Sequence, residues 1–107
     1  MSNNTANRAG GGIELAALEA AESGATLTDV ILDGNSTGTA PGNGGGLHLG
    51  GASTVTITGG SVTGNSAVEG GGLWNSGAGN MSVDGTSITN NTALGEATDQ
   101  GGGGLYN

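Results

Sequence analysis

The sequence has no cysteine, no phenylalanine and no lysine, and it has a single arginine (Arg8) and a single proline (Pro41). Each absence removes a class of protein. Without cysteine there is no disulfide framework and no thiolate metal site. One cation cannot neutralise a row of phosphates, so nucleic acid is not an expected partner. The same deficit argues against docking on anionic lipid. No apolar run approaches the roughly 18 residues of a membrane-spanning helix, and the first residues show no basic-then-apolar leader pattern. With one proline and no three-residue glycine period, collagen is excluded as well. Charged residues make up 9% of the 107 and leave a net charge of −8, where about a quarter is usual.

What the chain has in excess is glycine, 26 residues. High glycine with few charges suits either a flexible low-complexity tract or a folded repeat, and internal periodicity decides between them. Four glycine clusters each run into an aliphatic residue: Gly10–Ile13, Gly44–Leu47, Gly70–Leu73 and Gly102–Leu105. They alternate strictly with a second marker, Asn4-Thr5-Ala6, Asn35-Ser36-Thr37, Asn65-Ser66-Ala67 and Asn91-Thr92-Ala93. Counting back from each asparagine, equivalent positions hold Leu32, Val62 and Ile88, then Leu27, Ile57 and Val83, then Ala25, Val55 and Met81. Hydroxyl residues alternate with them, as in Thr54-Val55-Thr56-Ile57-Thr58. This is the period-two pattern of strands with one buried face, kept in register over repeats of about 26 to 31 residues.

No such strand can bury its apolar face alone. Coiling the chain so that equivalent strands stack at about 4.8 Å gives parallel sheets around a narrow core. Glycine serves the tight corners by adopting positive φ. The asparagines Asn4, Asn35, Asn65 and Asn91 are expected to form a ladder, each side-chain amide bonding the amide one coil away. The expected fold is therefore all-β, a parallel β-solenoid of about three and a half coils with three short strands per coil, one module over residues 1–107.

The run Gly-Gly-Gly-Leu-Tyr-Asn (102–107), with Thr-Val-Thr-Ile-Thr-Gly-Gly-Ser-Val-Thr-Gly-Asn-Ser-Ala (54–67), resembles right-handed parallel β-helix repeats of the pectin-lyase-like superfamily. It is most similar to the repeats of polymorphic outer-membrane proteins and related bacterial surface adhesins. The resemblance implies a right-handed solenoid, an extracellular or cell-surface location and, in the enzymes of that superfamily, cutting of acidic polysaccharides. One segment departs from the repeat: residues 14–24 carry Glu14-Leu15-Ala16-Ala17-Leu18-Glu19-Ala20-Ala21-Glu22, good helix formers ending at Ser23-Gly24. It reads as an insertion on the wall, with a short helix as one of its conformations.

Candidate chemistry is sparse. In repeat register Asp29 aligns with Gly59 and Gly85, Asp33 with Thr63 and Thr89, and Asp84 with Thr58 and Thr28, so no two aspartates share a ladder. No acid pair of the glycosidase kind is marked, and the one candidate for a cationic base is Arg8. A lone His48 without cysteine or a second histidine makes no zinc site, and no Ca²⁺ nonapeptide occurs. No catalytic residue, metal or cofactor is expected. Hydroxyl ladders are expected at Thr26, Thr56 and Ser82 and at Thr28, Thr58 and Asp84.

A further pattern concentrates the unusual side chains. The residue after the first aliphatic of each glycine-cluster strand is Glu14, His48, Trp74 or Tyr106, so the chain's only His, Trp and Tyr fall on one outward ladder. This stripe is the candidate contact surface, for a glycan or for another solenoid. The chain also opens inside one repeat and closes inside another with no polar cap, which points to further solenoid repeats or other copies of itself as partners. The expected function is a non-enzymatic extracellular structural module of an adhesin, stalk or fibre, able to stack end to end. The alternative is a carbohydrate-binding or polysaccharide-processing wall that uses the stripe.

Overall fold

The computed structural model describes residues 1–16 and 24–107, and these form fourteen short strands and no helix. The first coil runs through β1 (Thr5–Ala6), β2 (Ile13–Ala16), β3 (Gly24–Thr28) and β4 (Ile31–Asp33). The second runs through β5 (Ser36–Thr37), β6 (Leu47–Gly50), β7 (Thr54–Thr58) and β8 (Ser61–Thr63). The third holds β9 (Ser66–Ala67), β10 (Leu73–Asn75), β11 (Asn80–Asp84) and β12 (Ser87–Thr89), and β13 (Thr92–Ala93) and β14 (Leu105–Tyr106) begin a fourth. Every strand pairs in parallel with its equivalent one coil away, giving the sheets β1-β5-β9-β13, β2-β6-β10-β14, β3-β7-β11 and β4-β8-β12. The fold is a parallel β-solenoid of about three turns.

Each coil thus has four strands where the sequence pattern resolves three. The additional one is the two-residue piece after each asparagine, too short to carry an alternation signal. Part of the segment with high helix propensity is also strand: Glu14, Leu15 and Ala16 lie in β2, in register with His48, Leu49 and Gly50. Leu15 packs against the core beside the fully buried Leu49, and that burial outweighs local propensity. Gly24 opens β3, and residues 17–23 of the helical expectation lie outside the described residues.

The apolar ladders run as the repeat register requires: Ala25–Val55–Met81, Leu27–Ile57–Val83, Leu32–Val62–Ile88 and Ile13–Leu47–Leu73–Leu105. Leu47, Leu49, Val55, Ile57 and Val62 of the middle coil are buried, because they have a coil on either side. Leu27 and Val83, one coil out, are only partly buried. Leu32 belongs to the first coil yet is buried, because Met1–Asn3 adds a further pairing segment beyond β4. The Asp33 amide donates to the Met1 carbonyl at 3.0 Å and the Asn3 amide to the Asp33 carbonyl at 2.9 Å.

The three glycines of a cluster have different physical reasons. Gly44 sits in the left-handed region at φ +67°. Gly45 and Gly46 do not, but an added Cβ on Gly45 would strike the Gly71 carbonyl of the next coil, and one on Gly46 would lie 2.6 Å from the Gly72 carbonyl oxygen. Close approach between coils, beyond the turn itself, excludes side chains there.

The asparagines close the corner from inside. Asn35 and Asn65 are fully buried. Asn4 Nδ2 donates to Asn35 Oδ1 at 2.9 Å, Asn35 Nδ2 to Asn65 Oδ1 at 3.0 Å and Asn65 Nδ2 to Asn91 Oδ1 at 2.9 Å. The same oxygens accept the backbone N–H of the preceding ladder member at 3.1, 2.8 and 3.0 Å. Asn65 Nδ2 also donates to the Leu32 carbonyl at 2.9 Å. Replacing Asn65 by alanine would orphan the Asn35 N–H and one Asn35 Nδ2 proton, each at about 1–3 kcal/mol, and would remove the second donor to the Leu32 carbonyl. Asn65→Ala should therefore lower stability in urea denaturation by about 2 kcal/mol or more, and Asn4→Ala, at the exposed end, by about 1 kcal/mol. Equal losses at the two positions would contradict this account of the ladder.

Candidate functional site

Alternation along β2, β6, β10 and β14 sends one side chain per coil outward between two inward ones. Parallel pairing then places Glu14, His48, Trp74 and Tyr106 side by side in register. The rings lie flat on one another. His48 and Trp74 have centroids 4.6 Å apart at 18°, and Trp74 and Tyr106 are 6.1 Å apart at 4°. A pile of this kind turns ring edges to solvent and consumes ring faces internally. Among the described residues the two outer faces of the pile have no ring neighbour: that of His48, on the side of Glu14, and that of Tyr106 turned away from Trp74. A sugar that binds by stacking needs such a face.

The pile also changes the environment of its members. On an open strand surface the imidazole of His48 would be exposed, but His48 retains only 8% of its accessible surface. Trp74 covers one side in the stack, and Glu14 follows it on the other side of the ladder. Its Nδ1 is buried without a hydrogen-bond partner, with Glu14 Oε1 3.8 Å away. Arg8 donates to that same carboxylate oxygen. The Trp74 indole N–H donates to Glu69 Oε2 at 3.3 Å, and the Tyr106 hydroxyl donates to the Asp99 carbonyl at 3.1 Å. Glu69 had no signal in the sequence. It stands five residues before Trp74 at a corner, and only the coiled path brings the two together.

Desolvation of the imidazole lowers the His48 pKa below its ordinary 6.5; Glu14 opposes this and Arg8 reinforces it. Burial thus outweighs the nearby carboxylate, and the neutral ring is the form the fold favours.

The remaining candidates stay apart. Asp84 closes β11 beside Thr58, Asp33 closes β4 beside Thr63, and Asp29 sits at a corner at φ 53°. Thr26, Thr56 and Ser82 share one ladder and Thr28, Thr58 and Asp84 another. Among the described residues no three of His, Asp and Glu converge at metal-binding distance. Among the described residues a recess of about 100 Å³ is lined by Leu15, Ala16, Gly24 and Ser53, none of them ionisable. That is well below the several hundred Å³ of an ordinary small-molecule site. No family model, no curated protein and no solved structure matches this chain.

His48 is the chain's one histidine, so its ring protons titrate without overlap. Their NMR midpoint should lie below 6.5, and Trp74→Ala, which uncovers the ring, should raise it. Because the unfolded chain takes up the proton first, the contribution of His48 to stability is complete above about pH 6.5 and is lost as pH falls toward the lower folded-state value. An imidazole that titrates at 6.5 in both proteins would contradict the buried pile.

Proposed function

We propose that this chain is a non-enzymatic structural module, a segment of extracellular β-solenoid in a surface adhesin, stalk or fibre. The observation that carries the reading is that many of its outward side chains are engaged with their own ladder neighbours. His48, Trp74 and Tyr106 stack on one another, Thr89 donates to Thr63 at 3.2 Å, and Thr5 and Ser36 share a hydrogen bond at 3.2 Å. Side chains engaged in this way are already partnered within the wall. A net charge of −8 keeps parallel walls from clumping side by side. The extracellular placement draws on the resemblance of the glycine-cluster and Thr-Val-Thr-Ile-Thr runs to surface adhesin repeats.

The sugar-binding alternative receives less support, because a stacked pile presents edges to solvent. Protease treatment of intact producing cells, followed by an antibody against this chain, tests the location. The reading expects the signal to be stripped while the cells stay whole, and full retention of the signal would contradict it. Incubation of the purified chain with uronate-rich polysaccharide should yield no new reducing ends and no unsaturated uronate. Turnover that tracked with the chain through purification would overturn the non-enzymatic assignment.

A further inference from the structure

The sequence holds one Asn-Gly pair, Asn43-Gly44, and it opens the glycine cluster of the middle coil. The side-chain oxygens of Asn35 and Asn65 accept from ladder neighbours, but Asn43 Oδ1 is buried and, among the described residues, accepts no hydrogen bond. Positions equivalent to Asn43 on other coils hold Ala9 and Glu69, and the Gly70 N–H bonds the Gly101 carbonyl in the same row. The fold at this corner therefore asks for no amide side chain. We propose that Asn43 is a self-modification site. Folding shields its side chain from attack by the Gly44 nitrogen; prolonged unfolding converts it to aspartate or isoaspartate, and that product resists refolding. Water is the co-reactant, and the inference does not rest on the structural-module reading.

The reaction exchanges amide bonds. The Gly44 nitrogen bonds to Asn43 Cγ, the Cγ–Nδ2 bond breaks, and Nδ2 leaves as ammonia with the proton that the Gly44 nitrogen gives up. Water then opens the cyclic imide. Cleavage at Cγ leaves an aspartate. Cleavage at the main-chain carbonyl carbon leaves an isoaspartate, whose main chain runs through Cγ. In a free chain glycine makes the pair reactive, because without a Cβ nothing hinders the approach of its nitrogen and its backbone turns freely.

In the folded coil both reacting groups are held. Gly44 is buried at φ +67°, and its N–H donates to the Glu69 carbonyl at 3.0 Å. The Asn43 carbonyl accepts the Gly10 N–H at 3.0 Å, and the Asn43 N–H donates to the Arg8 carbonyl at 3.3 Å. Swinging the Gly44 nitrogen onto Cγ breaks bonds to the coils on both sides. With Oδ1 unpartnered, no donor polarises the Cγ carbonyl for attack. The products do not fit the same place. An aspartate puts a carboxylate where a buried oxygen finds no donor, on the ladder that carries Glu69 one coil away. An isoaspartate adds a carbon to the main chain and turns the carbonyl that holds Gly10 into a free carboxylate, so the row Ala9, Asn43, Glu69 loses its register.

Ageing of the purified chain in native buffer and in concentrated urea, at one mildly alkaline pH and one temperature, tests the proposal. Peptide mass mapping reads conversion at Asn43, and enzymatic methyl labelling identifies isoaspartate. In urea the rate should be that of a free Asn-Gly peptide. In the folded chain it should be at least about a hundredfold lower, because reaction waits on opening of the middle coil. After removal of urea, the converted fraction, separated by its added negative charge, should show by circular dichroism a folded-to-unfolded ratio at least about tenfold below that of unconverted chain. Asn43→Ala, which installs the residue of the first coil, should refold fully after the same ageing. A native-buffer chain that converts within about tenfold of the urea rate would overturn the proposal. So would a converted fraction that refolds as unconverted chain does, or an Asn43→Ala chain that ageing also leaves unfolded.

Discussion

In-register parallel stacking is the constraint on which the rest of the structure depends. The inner-coil strands bond to equivalent strands on both sides, so a residue is tied to the residue at its own position one coil away. A slip of one residue would turn every inward side chain to solvent. The register is therefore held by the core ladders from one side of the backbone and by the buried Asn35–Asn65 amide bonds at the corner. The glycines follow from the same constraint. Coils one strand spacing apart leave no room for a Cβ at Gly45 or Gly46.

Stacking also shapes the surface. Because like positions fall on like positions, any flat side chain placed outward meets its counterpart. Three such residues on successive coils become a pile, with Trp74 in its middle and His48 at the end beside Glu14, its basicity reduced by burial. The stripe is thus a consequence of the repeat before it is a candidate surface. The neighbouring acids, on separate ladders and corners, gain no such company.

Much of this was legible in the sequence, and the reason is the period. Leu27, Ile57 and Val83 sit in equivalent places relative to Asn35, Asn65 and Asn91, and a constant offset in the chain becomes a ladder in space. The asparagine ladder and the order Glu14, His48, Trp74, Tyr106 follow by the same counting. What escaped was either too short or too non-local. The fourth strand of each coil has two residues, below any periodicity. The burial of His48 depends on neighbours 26 or more residues away, and Glu69 reaches Trp74 across a corner that no spacing rule describes. Glu14–Ala16 shows local propensity yielding to register, since β2 must match β6 to cover the core.

Amide hydrogen exchange read residue by residue by NMR tests the central claim most directly, because protection reports which bonds the stacking secures. In-register coiling predicts that the middle coil, Leu47 to Thr63, exchanges slowest. It also predicts that the side-chain amides of Asn35 and Asn65 are protected while that of Asn4, at the open face, is not. Protection that fails to recur at equivalent positions of successive repeats, or an Asn65 side chain that exchanges as fast as Asn4, would contradict the ladder on which this account is built.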